Sequence, residues 1–269
     1  MRRVNSILLE PAESKGLSFL QAHVLKGAAG IEHAFMRRAG GFSPAPFTGL
    51  NFGGDDEPSN IRANMGLLVR SFGLPPGGVA TAEQVHGRHV VVMDEAVYGA
   101  AERPRGDAII TAVPELPIGI LTADCVPVLL HDPGSGAIAA VHAGWRGFVA
   151  GVLRETLLVF FRDFGARPAN MLGAIGPYIG PCCYEVSEDL VESFRAAGLK
   201  AAPYFTRDKG GIHLDLGRAV HDALTESGLP AGNVSLPGPC TSCGASDFYS
   251  YRRDKVTGRQ LSFIMKRRT

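Results

Sequence analysis

The sequence lacks a large excess of charge of either sign. Its 269 residues include 27 Lys plus Arg and 26 Asp plus Glu, which gives a formal net charge of +1. A protein that binds nucleic acid or an anionic membrane through a broad basic face needs a cluster of uncompensated cations. The charge balance therefore argues against nucleic-acid and membrane partners, and we expect a small-molecule substrate instead.

Long hydrophobic runs and a closed disulfide framework are also absent. The best apolar run, residues 148–161, is interrupted by Arg154 and Glu155 and falls short of the roughly 18 apolar residues of a membrane span. The apolar N-terminal stretch ends at Glu10 and Pro11, too early for a signal peptide. Five cysteines cannot all pair with one another. We predict a cytoplasmic protein whose reduced cysteines serve in core packing, metal ligation or nucleophilic catalysis.

Several familiar motifs of catalysis and cofactor binding are missing. The sequence contains no GxGxxG after a strand, no Walker A motif and no GxSxG. It has eight histidines and no His-x-His pair. This scarcity argues against the clustered copper sites of a blue multicopper oxidase.

Hydrophobic residues make up 45% of the chain, enough for a core, and their spacing predicts a mixed α+β fold. With no internal repeat and no low-complexity linker, we expect one domain over 1–269, with 1–30 as a less well-defined N-terminal segment. Helices are predicted to begin after Ser59 and end at Gly73, to run from 148 to 161, to begin at the N-cap Ser187 and end at Gly198, and to begin near Asp215 and end at Gly228. Strands are predicted at 89–93, 108–111, 118–122, 126–130, 137–141, 171–175 and 260–265.

Three side chains at strand ends are candidates for a common site. Cys125 follows Asp124 at the end of one apolar strand, and His142 ends a strand beyond the next hairpin, 17 residues later. His86 lies between a valine and a glycine just before another strand. His89 would face the opposite side of that strand from His86, so only His86 is assigned to the site.

Two histidines and one cysteine are ligands that suit zinc, and also copper. Three protein ligands leave a coordination position open, which is typical of a catalytic rather than a structural zinc. The alternative, a buried cysteine with two structural histidines, is equally compatible with the spacing. Arg146, in a glycine-flanked turn before a helix, is a candidate anion contact or the partner of a structural ion pair. Asp124 is a candidate proton carrier, although a structural role in the turn is favoured.

The other four cysteines give a weaker pattern. Cys240 and Cys243 form a lone CxxC, and the remaining pair, Cys182 and Cys183, is vicinal. Adjacent side chains seldom share one tetrahedral ion, so we expect packing or loop roles for all four.

Several segments, in order along the chain, resemble the YfiH family, which is also called the multicopper polyphenol oxidase or laccase-like family. The resemblance covers roughly residues 31–266. The matching segments are 49–56 (GLNFGGDD), 84–87 (QVHG), 122–127 (TADCVP), 141–147 (VHAGWRG), 179–186 (IGPCCYEV) and 248–254 (FYSYRRD).

The resemblance implies a single domain of α-β-β-α layers, similar to the catalytic domain of cytotoxic necrotizing factor. It also implies a zinc centre of His86, Cys125 and His142. Family members are described as purine nucleoside phosphorylases that act on adenosine, inosine and methylthioadenosine and that also deaminate adenosine. Others are named polyphenol oxidases, and a bacterial branch is linked to editing of peptidoglycan precursors.

Four hypotheses remain open at the level of the sequence. The leading one is zinc-dependent purine nucleoside phosphorolysis or deamination, with Arg146 as an anion contact. The second makes Cys125 a nucleophile and His142 its base, for hydrolysis of a cell-wall precursor amide. The third is copper-dependent phenol oxidation, which the missing His-x-His pairs disfavour. The fourth is a catalytically inert metal-binding module.

Overall fold

Two large β-sheets form the centre of the fold, and a third, small sheet lies at its periphery. The computed structural model describes residues 8–98, 100, 102–208 and 210–268, so residues 1–7 of the predicted N-terminal segment lie outside the described part. The strands are β1 (Leu9–Ser14), β2 (Leu17–Ala22), β3 (Ile31–Met36), β4 (Val90–Val92), β5 (Ala108–Thr111), β6 (Ile118–Thr122), β7 (Val126–His131), β8 (Ile138–Ala143), β9 (Leu172–Ile175), β10 (Glu185–Val186), β11 (Phe205–Asp208), β12 (Gly211–Leu214) and β13 (Gln260–Lys266).

The helices lie between these strands at irregular intervals. They are α1 (His23–Lys26), α2 (Pro58–Phe72), α3 (Glu95–Tyr98), α4 (Trp145–Ala150), α5 (Val152–Phe164), α6 (Glu188–Ala196), α7 (Leu216–Glu226) and α8 (Tyr251–Asp254). Short 3₁₀ turns occur at Pro168–Asn170 and Ala231–Asn233.

Hydrogen bonding arranges the strands in three sheets. The first sheet is antiparallel throughout and has the order β1-β2-β3-β13-β6. The second has the order β4-β5-β8-β7-β9, in which only the β4-β5 pair is parallel. A small third sheet has the order β10-β12-β11. The mixture of strand directions and scattered helices confirms the predicted α+β class.

The two large sheets pack face to face, and helices cover both outer faces. Ile120 of the first sheet and Leu129 of the second belong to one apolar cluster between the sheets. Leu68 of α2 packs in a cluster on the outer face of the first sheet. Leu157 of α5 and Leu224 of α7 pack in the cluster on the outer face of the second. The layers are therefore α-β-β-α, as the family resemblance implies.

One predicted helix is in fact two. The apolar pattern of 148–161 is continuous, but α4 and α5 are separated at Gly151, whose φ of +93° lies in the left-handed region. Glycine adopts that conformation without the steric cost that other residues bear. The chain turns there, and the residues around Trp145 form a separate short helix beside the site.

The N-terminal strands β1, β2 and β3 were not predicted from the sequence. In the structure β1 is an edge strand with Pro11, Glu10 and Glu13 in it, and the alternation of apolar residues is correspondingly weak. Proline and charge are typical of edge strands because an edge has unpaired backbone groups and must avoid further pairing. The strands of the small third sheet were also missed, because they are short and mostly not buried, so they form no continuous apolar run.

Within the described part of the chain, no helix combines the length and apolarity that crossing a bilayer would require.

His33 on β3 is fully buried, and its Nε2 accepts a hydrogen bond of 2.9 Å from the Ala22 N–H. Burial lowers the pKa of His33 from its usual 6.5 to about 4. Between these values the unfolded chain binds a proton that the folded chain excludes, so stability falls as the pH drops through this window.

Replacing His33 with glutamine should remove that pH-dependent loss, because the amide oxygen still accepts a hydrogen bond but does not titrate. Urea unfolding at pH 7 and pH 4.5 should show a loss of unfolding free energy smaller by about 2–3 kcal/mol in His33→Gln than in the wild type. His89→Gln, at an exposed position, should retain the wild-type loss. Equal losses in all three proteins would contradict the assignment.

Candidate metal centre

The structure brings His86, Cys125 and His142 together where the two large sheets meet. Their potential ligand atoms all lie within 4.8 Å of one another. The Cys125 Sγ is 3.9 Å from the His86 Nε2, and the two imidazole rings meet edge to face with centroids 4.8 Å apart. Cys125 lies in the connection from β6 to β7, which passes from one sheet to the other, and His142 lies on β8.

A buried carboxylate organises both histidines. Asp107, immediately before β5, is fully buried, and its Oδ1 lies 2.8 Å from the His142 Nδ1. The same carboxylate accepts backbone N–H groups from His86 at 2.9 Å, Gly87 at 2.7 Å and Val85 at 3.3 Å. Burial raises the pKa of Asp107, but the hydrogen bonds from His142 and from this turn outweigh burial and lower it. With Nδ1 donating to Asp107, the Nε2 of His142 is left free to bind a metal.

These hydrogen bonds also hold His86 in an unusual conformation. Its φ is +58°, in the left-handed region that few non-glycine residues occupy. A conformation of this kind persists where the surroundings over-determine it. The three N–H groups of residues 85–87 converge on the Asp107 carboxylate, and this convergence supplies the constraint.

Asp107 is not among the site residues predicted from the sequence. It is a single acidic residue before an apolar strand, with no motif that links it to His86. The signal that could have indicated it is its position, because a charged residue that enters a fully buried strand needs a partner. The two loops are brought together by a bridge between Glu83 and Arg105.

Cys125 and His142 each shift the pKa of the other. Burial raises the pKa of the Cys125 thiol, but the nearby His142 and His86 more than offset this and lower it to about 6. Burial lowers the pKa of His142, but Cys125 and Asp107 outweigh burial and raise it to about 9. In the metal-free protein near pH 7 this pair is therefore a thiolate beside an imidazolium. A metal that binds both ligands releases the imidazolium proton.

The donor set fits zinc. Two imidazole nitrogens and one thiolate are ligands that zinc prefers. Histidines that bind zinc commonly donate their other ring N–H to a carboxylate, as His142 does to Asp107. His142 is buried, Cys125 is half-buried and His86 is exposed, so the ligand cluster is open on one side. Copper accepts the same ligand types.

A large cavity opens directly onto this cluster. Its volume is about 1350 Å³, and its lining includes all three candidate ligands. The wall also carries a group of basic side chains, namely Arg62, Arg103, Arg146, Arg252 and Arg259. The cavity therefore combines a metal-ligand cluster with several cations that suit an anionic substrate.

Arg146 lies in the cavity wall. Its guanidinium stacks over the Trp145 ring, 4.4 Å from the centroid. Among the described residues no carboxylate lies within ion-pair distance of it. This arrangement favours an anion contact over a structural ion pair.

Asp124, in the cavity wall, connects to three other segments of the chain. Its Oδ1 accepts the Thr241 hydroxyl at 2.6 Å, and its Oδ2 accepts the Arg252 N–H at 2.7 Å. Its backbone carbonyl accepts the Ile179 N–H at 2.9 Å, and its φ is +99°. These contacts favour the structural role for Asp124, which fixes the turn that presents Cys125.

The structure groups the other four cysteines, for which the sequence predicts packing or loop roles. Cys182, Cys183, Cys240 and Cys243 form one group whose Sγ atoms all lie within 4.8 Å of one another. The two loops that carry them run side by side, joined by a parallel bridge between Tyr178 and Cys240. Sequence spacing could not show this, because the loops are about sixty residues apart.

Comparison with known proteins gives relatives over nearly the whole chain. Residues 32–267 match the family model described as "Multi-copper polyphenol oxidoreductase laccase". A protein of Deinococcus radiodurans named purine nucleoside phosphorylase is 39% identical over 251 residues, which cover 93% of each chain. A protein of Streptomyces coelicolor named purine nucleoside phosphorylase SCO2081 is 38% identical over 237 residues, covering 87% of this chain and 95% of the relative.

A solved structure shares the fold as well. The crystal structure of the Bacillus licheniformis hypothetical protein YfiH superimposes with a TM-score of 0.87 at 27% sequence identity, covering 95% of this chain and 98% of that one. From the family model, the sequence relatives and this structure together, the chain belongs to the YfiH family of multi-copper polyphenol oxidoreductase laccase-like proteins.

Proposed function

We propose that the protein is a purine nucleoside phosphorylase whose zinc ion is held by His86, Cys125 and His142. The observation that carries this proposal is the single cavity in which that cluster faces several arginines. The relatives named purine nucleoside phosphorylase support the same reaction class. Phosphorolysis requires one site that accepts a nucleoside and an inorganic phosphate together, and the cavity volume of about 1350 Å³ is ample for both.

The chain's own residues supply binding and orientation. In phosphorolysis a phosphate oxygen attacks C1′ of the ribose while the C1′–N bond breaks, and the electrons of that bond go to the purine. Arg146 and its basic neighbours hold the phosphate by charge-assisted hydrogen bonds. Trp145 and Tyr184 offer aromatic faces to the base in the same cavity. Bound zinc would supply a Lewis acid next to the substrate.

The finer substrate range belongs to the same proposal. Apolar side chains in the cavity wall, including Phe52, Ile61 and Leu121, suit the methylthio group of methylthioadenosine. We also propose deamination of adenosine as a side reaction at the same metal centre, in which water adds to C6 of the adenine, the bond from C6 to the amino nitrogen breaks, and ammonia leaves.

Zinc-loaded protein incubated with inosine and phosphate should release hypoxanthine and ribose 1-phosphate. Arg146→Ala should raise the KM for phosphate by about 10- to 100-fold, because a charge-assisted hydrogen bond contributes about 1.5–3 kcal/mol. Steady-state assays at varied phosphate check this.

The matched control is Arg154→Ala, which removes the same charge from an exposed position on α5 outside the cavity lining. It should leave the KM for phosphate unchanged. Absence of base release from inosine and adenosine, with zinc content verified, would overturn the proposed function.

A second candidate function rests on the Cys125–His142 pair. Burial opposes ionisation of the thiol, yet the two histidines bring the pKa of Cys125 to about 6. A thiolate beside an imidazolium can attack the carbonyl carbon of an amide, while His142 donates a proton to the leaving amine. This candidate is a hydrolase of cell-wall precursor amides, and bound zinc would inhibit it by occupying the nucleophile.

Alkylation of Cys125 by iodoacetamide distinguishes the two candidates. In metal-free protein, the rate of Cys125 alkylation, measured on the peptide that contains Cys125, should rise with pH with a midpoint near 6. His142→Ala should move this midpoint to higher pH, because burial raises the pKa of Cys125 and His142 no longer offsets it. Stoichiometric zinc should block alkylation while nucleoside phosphorolysis proceeds. Amide hydrolysis by the metal-free protein that zinc abolishes would instead establish the hydrolase.

Copper-dependent phenol oxidation has weaker support. Within the described part of the chain, the His86, Cys125 and His142 group is the one histidine-containing cluster able to hold a metal. The family description names multi-copper enzymes, but a single three-ligand group does not provide several copper sites.

A further inference from the structure

The second group of cysteines lies outside the proposed catalytic centre and has no role in the proposed reaction. Cys182 and Cys183 come from the loop that follows β9, and Cys240 and Cys243 come from the loop before α8. The Cys243 Sγ lies 3.5 Å from the Cys182 Sγ and 3.4 Å from the Cys183 Sγ. All four sulfur atoms lie within 4.8 Å of one another.

Backbone contacts hold the two loops in this arrangement. The Thr241 N–H donates to the Tyr178 carbonyl at 2.8 Å, and the Tyr178 N–H donates to the Pro239 carbonyl at 3.3 Å. The Gly180 N–H donates to the Cys240 Sγ at 3.2 Å. A Cβ at Gly180 would lie only 3.2 Å from the Cys240 Cβ, so a glycine there lets the loops approach closely.

The sulfur separations match those of a four-thiolate metal site. A tetrahedral zinc with Zn–S bonds of about 2.3 Å requires sulfur atoms about 3.8 Å apart. The separations of 3.4 and 3.5 Å are close to that value and far from the about 2.05 Å of a disulfide bond. The vicinal arrangement is no obstacle, because Cys182 and Cys183 both approach the same third sulfur.

We propose that Cys182, Cys183, Cys240 and Cys243 bind a second zinc ion. Four protein ligands close the coordination shell, so this ion is structural, in contrast to the open three-ligand cluster. The inference stands on the cysteine geometry and is independent of the proposed reaction.

The second zinc would brace the cavity wall. The Cys240–Cys243 loop contains Thr241, whose hydroxyl bonds to Asp124 next to Cys125. The Arg253 guanidinium bonds to the Thr241 and Ser242 carbonyls of the same loop at 3.0 and 3.1 Å. An ion that fixes this loop therefore stabilises the turn that presents Cys125, without contacting substrate.

Metal analysis of the full-length protein, reconstituted with Zn²⁺ and desalted, tests the proposal. The wild type should hold two zinc ions per chain, and a Cys182→Ser/Cys243→Ser variant should hold one. A His86→Ala/His142→Ala variant should also hold one. In this histidine variant, Co²⁺ should give the intense thiolate-to-metal charge-transfer band of a four-thiolate site. The control Ser242→Ala keeps all four sulfurs and should retain two zinc ions.

A measurement on the wild type tests the proposal even if the cysteine variant misfolds. Cys182 and Cys243 are exposed, so iodoacetamide should alkylate them readily after chelation and at least tenfold more slowly in the zinc-loaded protein. A zinc content that the Cys182→Ser/Cys243→Ser variant shares with the wild type, or equal alkylation rates of Cys182 and Cys243 with and without zinc, would overturn the proposal. An intact mass lower by two hydrogens for each disulfide, with no second zinc bound, would overturn it as well.

Discussion

The candidate site depends on the buried carboxylate of Asp107, which accepts hydrogen bonds from four N–H groups. Three come from the backbone of residues 85–87, and the fourth comes from the His142 ring. A buried carboxylate without partners would cost several kcal/mol, and these hydrogen bonds offset that cost. They also hold His86 at its left-handed φ and orient His142. Two ligands from distant parts of the chain are thus positioned by one side chain.

The third ligand depends on a different set of contacts. Cys125 lies where the chain leaves one sheet and enters the other, and Asp124 fixes that crossing through Thr241 and Arg252. The Thr241 loop in turn belongs to the four-cysteine cluster. The two large sheets therefore bring the three candidate ligands to one place, and Asp107 and Asp124 fix their orientation. A second zinc would extend this support to the outer wall of the cavity.

Much of the core could be predicted from the sequence, because strands buried on both faces are continuous apolar runs. The bounds of β5 and β6 match their predictions, and Gly73 ends α2 as expected. The three candidate ligands could be found because Cys125 and His142 lie close to the ends of strands joined by a hairpin and His86 lies in a turn before a strand. Asp107 and the four-cysteine cluster could not, because contacts between distant loops leave no spacing pattern. The helix break at Gly151 was missed because apolar periodicity does not report backbone conformation.

The zinc affinity of Asp107→Asn tests the central claim most directly. Chelator competition, read out by protection of the Cys125 thiol from iodoacetamide, reports this centre alone. The account predicts that the variant, with a native circular dichroism spectrum, binds zinc about 10- to 100-fold more weakly than the wild type. An unchanged dissociation constant in a folded variant would contradict the claim that Asp107 organises the metal centre.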